Sequence, residues 1–262
     1  MTCKNCNTTL NEQINYCPLC GAKIVKKRLS MKTIAADINE QFFNLDNKLL
    51  KTFIHLFTKP EVVIEGFING IRKKYISVIQ FFAISLTLVG IQVFLMNTFF
   101  REAMELDPNM FGPMMDSEAQ KNNPFRNFEY ADYNNYQSVF YVLSIPFSAI
   151  STYLTYWISD LRRFNFTEHL VINLYYSAQI IIINAFVTIV LLCFGVNFML
   201  ISFLSTLFIL IYFFHVLKRV FNTSLLMTFV HLILVMIILG FIFIVLIVLV
   251  SILGYFLGRY VL

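Results

Sequence analysis

The sequence predicts an all-α polytopic membrane protein of about five transmembrane helices with a small N-terminal four-cysteine zinc ribbon. Three observations predict it. Hydrophobic residues make up 58% of the 262 and charged residues only 13%, against about 25% charged in soluble domains. The apolar residues gather in continuous runs long enough to cross a bilayer as helices, whereas barrel strands would alternate. Four of the five cysteines fall in two Cys-x2-Cys pairs near Met1. No short basic region followed directly by an apolar core opens the chain, so no signal peptide is expected.

The pairs Cys3/Cys6 and Cys17/Cys20 lie in CKNCNTTLNEQINYCPLCG. Each pair can wrap a metal through a tight turn, and together they offer four thiolates in tetrahedral arrangement. Asn7 and Gly21 hold the positions after the pairs, where a left-handed backbone is needed and where Asn and Gly adopt it most readily. So short a unit cannot bury a sufficient core, and the metal supplies its folding energy. We expect structural zinc on Cys3, Cys6, Cys17 and Cys20. Iron bound by four cysteines, as in rubredoxin, is the alternative metal. Four protein ligands leave no open position for catalysis. Nothing adjoining them looks like a base-stacking platform, so nucleic acid is not the expected partner.

The predicted boundaries are 1–24 for the ribbon, 25–75 for a basic linker and amphipathic juxtamembrane helices, and 76–262 for five spans with an outer loop at 98–138. Over 33–58, Phe42, Phe43, Leu49, Leu50, Phe53, Ile54 and Phe57 recur largely three and four apart. That pattern fits a helix lying at the membrane interface or packed against the bundle. Pro60 and Glu61 open a second helix, expected to run on toward Tyr75. Gly66 and Gly70 are candidates for close approach to the bundle. Arg72, Lys73 and Lys74 mark the cytosolic edge of span one, with Tyr75 as an interfacial anchor.

Span one is expected over 76–96, with Gln80 and Gln92 bonding to neighbouring helices. The segment 98–138 holds three basic and seven acidic residues and many aromatics, and short surface helices are expected there. Span two, 139–158, contains Pro146 and closes with Tyr153, Tyr156 and Trp157 as anchors. Span three covers 170–194, and Gly195 to Asn197 make a minimal turn into span four, 198–217. Arg162, Arg163, Lys218 and Arg219 put the short loops inside. The run 225–257 carries no acidic or basic residue other than His231, and reads as one tilted or overlong span. The N-terminus is then cytoplasmic and the C-terminus outside.

Candidates for chemistry are few. Asp160, Glu168 and His169 lie close in sequence before span three and are the only candidate catalytic residues; capping of helices or pairing with Arg162 and Arg163 is the preferred explanation of Asp160 and Glu168. His215 fits headgroup contact. His231 and Asn184 are the polar groups within apolar runs, and His231 is expected to bond to a neighbouring helix. No phosphate-binding glycine loop, lipase elbow or metalloprotease helix appears.

Several of these residues resemble a known family. The knuckles at 3–6 and 17–21, Leu45, Asp46, Leu49, Leu50, Thr52, Leu56 and Pro60, then Gly70, Arg72, Lys73 and Tyr75, and finally Glu168, His169, Leu170 and Val171 resemble, in order and spacing, the bacterial membrane proteins grouped as domain of unknown function 3667, found mainly in Bacteroidota. The resemblance implies a zinc ribbon joined to a multi-span domain in the bacterial inner membrane, with no established activity. Asn7, Ile76, Tyr175 and Tyr176 depart from the pattern. The expected function is a scaffold or sensor that binds a cytosolic partner or itself in the lipid bilayer. A transporter or channel for a small or lipophilic solute, and an enzyme acting through the 160–169 loop, are the alternatives. The transporter should show a polar cavity reaching Gln80, Asn184 or His231. The enzyme requires Asp160, Glu168 and His169 to converge with Arg72 or Arg162.

Overall fold

The computed structural model describes residues 2–11, 14–22, 24, 30, 48–101, 103 and 134–261, with the backbone alone beyond 252. The chain divides into two compact units, Met1–Asn47 and Lys48–Leu262. The expected tether, the first part of the 33–58 helices and most of the acidic loop lie outside the described residues.

In the first unit two knuckles repeat one hydrogen-bond pattern. The Cys3 N–H donates to the Thr8 carbonyl and the Asn7 N–H to the Cys3 carbonyl; Cys17 to Ala22 and Gly21 to Cys17 copy them at 2.9 Å each. Asn7 (φ 57°) and Gly21 (φ 70°) take the left-handed conformation expected of them. Cys3, Leu10 and Cys17 form a small buried cluster.

The second unit is helical. We number its helices α1 (48–58), α2 (Pro60–Ile68), α3 (Val78–Phe99), α4 (Gln137–Ile158), α5 (Phe166–Cys193), α6 (Phe198–Phe221) and α7 (Leu225–Val261). Five of them, α3 to α7, are long and apolar enough to cross a membrane. The 22 residues of α3 reach about 33 Å, matching a hydrocarbon core of about 30 Å. The last run is one helix of 37 residues, as expected of an overlong span.

Local chemistry sets the boundaries. Pro60 has no N–H, so it ends α1 and starts α2 with its fixed φ. The second helix stops at Ile68, well short of Tyr75. Gly70, at φ 88°, lets the Ile71 N–H reach back to the Gly66 carbonyl at 2.8 Å, a Schellman closure. The nearest atoms to a Cβ placed on Gly66 belong to Ile71, 3.7 Å away, so this glycine serves its own helix end and not a helix crossing. Ser77 caps α3 and Asn197 caps α6. Asn165 and Glu168 form a full capping box at α5, and so α5 begins four residues before the expected start of span three.

Among the spans, α3 packs chiefly against α5, and Arg162, Arg163, Lys218 and Arg219 share one basic end of the bundle. There Arg163 donates to the Val220 carbonyl at 3.0 Å, and Tyr175 donates to the Ile76 carbonyl at 2.8 Å. Tyr175 sits nine residues into α5 yet meets the residue just before α3, so α5 extends about 14 Å past the start of α3. The helices α1 and α2 fill the space this leaves. Thr52 and Leu56 are fully buried, so α1 packs against the bundle, while Leu50 and Ile54 point outward. At the opposite end Asn97 donates to Asn135 at 2.7 Å, and Met96, Leu192 and Ile201 form a core cluster.

Candidate functional sites at the cysteine knuckles and the basic end

The four sulfurs converge. Cys3 Sγ lies 3.7 Å from Cys20 Sγ, Cys6 Sγ lies 3.6 Å from Cys17 Sγ, and all four fall within 4.8 Å of one another. A Zn–S bond of about 2.3 Å in a tetrahedron places its sulfurs about 3.8 Å apart, so this set fits a metal ion. The thiols are unequal. The Asn5 side chain and the Ala22 N–H hold Cys20 down at about 6. The Thr8 hydroxyl and N–H hold Cys6 below its ordinary value. The Cys20 N–H pulls Cys17 down, but burial and the neighbouring thiols outweigh it and push Cys17 up to about 11. Two sulfurs are thus disposed to ionise and to meet a cation as thiolates.

At the basic end, α1 and α2 are held by side chains of α5, α6 and the loop between α4 and α5. A helical carbonyl pairs with the N–H four residues on; for Leu56 that residue is Pro60, which has none. The Tyr212 hydroxyl supplies the missing donor to the Leu56 carbonyl at 3.0 Å. Gln179 Nε2 donates to the Phe53 carbonyl at 3.1 Å. Thr52 Oγ1 accepts from the Ile76 N–H at 3.1 Å. Two carboxylates of α2, Glu61 and Glu65, spaced four apart, meet Arg219 at 2.7 Å and Arg163 at 2.9 Å. Tyr75 is 4% exposed and bonds to His55 Nδ1 at 2.8 Å, so it is part of this packing and not a headgroup anchor. Arg72 stacks over Phe67 at 3.7 Å.

The expected chemical cluster is partly assembled. A cavity of about 410 Å³ where α4 ends and α5 begins is lined by Arg162, Arg163, Glu168 and His169 with four aromatic side chains, among them Tyr153 and Trp157. Asp160 does not line it and instead pairs with Arg162 at 3.4 Å, both exposed. Glu168 Oε2 accepts the Asn165 N–H at 2.7 Å. Capping and pairing therefore engage one oxygen of each carboxylate. His169 is 1% exposed, and its Nδ1 meets Thr152 Oγ1 at 3.1 Å. Asn173 donates to the same hydroxyl, and Ser148 donates to Asn173. This α4–α5 network was not foreseen; the hydroxyls at 148, 151, 152 and 155 were its signal in the sequence.

Other expectations need correction. Tyr156 is 1% exposed, stacks on Phe221 at 3.4 Å between ring centres and touches His231 at 4.7 Å. It is a core residue, and only Trp157 keeps an anchor's exposure, at 48%. Among the described residues, both ring nitrogens of His231, Nε2 of His215 and the Tyr156 hydroxyl are buried without a hydrogen-bond partner. Gln80 accepts from Ser77, and Gln92 donates to Met96 Sδ, so both serve their own helix neighbourhood. A second cavity, about 590 Å³ and almost wholly apolar, lies along α1, α3 and α5. A third, about 160 Å³ near the opposite end, reaches Asn184, Gln92 and Thr188. Neither Gln80 nor His231 lines any of these three cavities.

Residues 46–90 match the model of a family described as Protein of unknown function (DUF3667). The match covers α1, α2, their connection to α3 and the first half of α3. It is the segment that α5 and α6 grip, and it includes neither the cysteines nor the residues around Glu168. No curated protein and no solved structure matches the chain.

Proposed function

We propose that the chain is a membrane scaffold or sensor of the bacterial inner membrane, with a structural zinc ion on Cys3, Cys6, Cys17 and Cys20. Its N-terminal module binds a cytosolic partner or a second copy. The observation that carries this reading is the hold on α1 and α2. They follow the cysteine unit directly in the chain. Two carboxylate–guanidinium pairs and two donors to main-chain carbonyls fix them to the spans. A segment so anchored transmits force between the chain preceding it and the membrane helices. The cytoplasmic placement of the N-terminus draws on the basic residues gathered at one end of the bundle, and five spans then put the C-terminus in the periplasm.

The test is a photo-crosslinking residue in place of Leu19, which is 73% exposed on the cysteine unit, in intact cells. A discrete adduct, with itself or with one other protein, is expected, and Cys17→Ser should abolish it while leaving membrane insertion intact. Monomer alone, or an adduct indifferent to Cys17→Ser, overturns the reading.

The enzyme alternative draws on Arg162, Arg163, Glu168 and His169 sharing one cavity. Against it, Asp160 and Arg72 stand apart and Glu168 already serves the α5 cap. The transport alternative draws on the polar cavity at Asn184. A substitution Asn184→Leu that stops solute flux in proteoliposomes would favour it.

A further inference from the structure

We infer that the cavity where α4 ends and α5 begins binds the zwitterionic head of a membrane phospholipid, a phosphate and a primary ammonium of phosphoethanolamine type. The site is independent of any partner of the cysteine unit.

The charges of the cavity decide the ligand's class. Of its two guanidiniums, Arg163 is spent: it donates to Glu65 at 2.9 Å and to the Val220 carbonyl at 3.0 Å. Arg162 has only an exposed pairing with Asp160 at 3.4 Å, which is weak in water. Its guanidinium rests over the Trp157 ring at 5.1 Å. On the acidic side, one oxygen of Glu168 accepts the Asn165 N–H, and the other makes no bond among the described residues. Arg162 and Glu168 line the same cavity, yet Arg162 pairs with Asp160 and not with Glu168. One available cation and one available anion thus stand apart across one space. A purely anionic ligand leaves Glu168 repelled, and a purely cationic one leaves Arg162 repelled. A ligand with both charges a few bonds apart satisfies each.

The neutral wall fits the same head. Thr152 Oγ1 gives its proton to the Ala149 carbonyl and so accepts from His169 Nδ1, which leaves Nε2 as an acceptor for the ligand's ammonium. The ring of Tyr153 suits an ammonium group. The volume of about 410 Å³ equals about a dozen waters, enough for a glycerophosphoethanolamine unit. The lipid is favoured as the source of this head over a free metabolite because the wall is amphipathic. Trp157 and Leu161 line the cavity while 48% and 37% exposed, and their neighbours Ile158 and Phe166 are 59% and 42% exposed. These apolar surfaces stand at the ends of spanning helices, where headgroups meet acyl chains.

The chain has one tryptophan, and it lines this cavity, so its emission reports the site. The full-length protein, purified free of phospholipid in detergent, is titrated with phosphatidylethanolamine, phosphatidylglycerol and soluble glycerophosphoethanolamine. A saturable change with phosphatidylethanolamine is expected, with at least tenfold weaker responses to the other two. Glu168→Gln keeps an oxygen for the α5 cap and removes the charge; Arg162→Gln removes the cation. Each should weaken the response about tenfold, the loss of one charge-assisted contact, with Arg162→Lys in between. Native mass spectrometry of the same samples counts bound lipid without relying on emission, and helicity by circular dichroism confirms that each variant is folded. Equal binding of phosphatidylglycerol, or indifference to Glu168→Gln, overturns the zwitterionic site. A soluble head that binds as well as the lipid overturns the lipid as source. Absence of any response in the folded protein overturns the site altogether.

Discussion

Tyr212→Phe removes one hydroxyl and little else. The ring keeps its contacts with Phe57 at 5.4 Å and Tyr176 at 5.9 Å between centres, so no cavity opens. What is lost is the donor to the Leu56 carbonyl, 3.0 Å away. Pro60 prevents the backbone from replacing it, and with Leu56 fully buried water has no ready access. A buried acceptor left unpaired costs about 1–3 kcal/mol. For a chain of this size each kcal/mol moves the unfolding midpoint by about 2–4 °C, so the expected drop is about 2–12 °C. The assay is thermal unfolding in detergent, followed by Trp157 emission, with Tyr156→Phe alongside. The Tyr156 hydroxyl is buried and has no partner among the described residues, so its removal should leave the midpoint unchanged or raise it. Equal shifts in the two variants, or a Tyr212→Phe protein as stable as the parent, would refute the idea that a membrane-helix hydroxyl stands in for the proline's missing N–H.

Four further outcomes follow from the same contacts. Thr52→Val should destabilise by about 1–3 kcal/mol, since it strands the buried Ile76 N–H, while Thr52→Ser should retain most of the stability in the same melt. A double-mutant cycle of Glu61→Gln and Arg219→Gln should give a coupling of about 0.5–1 kcal/mol, because both groups are partly exposed, and added salt should shrink it. Metal analysis should find one equivalent per chain; chelation or Cys17→Ser should remove it and unfold the cysteine unit, read by protease sensitivity, while the helicity of the spans persists. In a Cys193→Ser background, a membrane-impermeant thiol reagent applied to intact cells should modify a cysteine at position 118 and spare one at 163 or 219; the reverse pattern would invert the orientation.

The spans were legible because their signal is cumulative. Twenty apolar residues outweigh any single error, and so five helices emerge where five runs were read. Boundaries depended on single side chains. The Asn165-x-x-Glu168 pattern is a capping box written in the sequence, but a glutamate beside a histidine at the start of a span reads as a chemical candidate too. Gly70 carried the signal for the end of α2, but the basic residues after it favoured a longer helix. The cysteines were legible because metal geometry constrains spacing along the chain. Pairings such as Glu61 with Arg219 and Tyr212 with Leu56 join residues more than 150 positions apart, and no local pattern encodes them. Tyr75 and Tyr156 were misplaced for a related reason. An aromatic residue at the end of a span suits the bilayer interface and a helix junction equally, and only the packing of α1 and of α7 decides between them.

The matched segment, 46–90, contains the whole of the gripped stretch from α1 to Ile76. A short helix closed by Lys59-Pro60 exposes carbonyls that the chain itself cannot satisfy. In water this costs little, but against apolar helices each needs a donor. Tyr212 supplies the donor that the Leu56 carbonyl lacks, Gln179 adds a donor to the Phe53 carbonyl, and the partner of the Ile76 N–H comes from Thr52. Each bond crosses from the α1–α2 segment to a span or to the start of one, and the two carboxylates of α2 add charge pairing at the rim. Displacing α1 would therefore break several bonds together, not one at a time. That cooperativity favours two discrete positions over a continuum of small shifts.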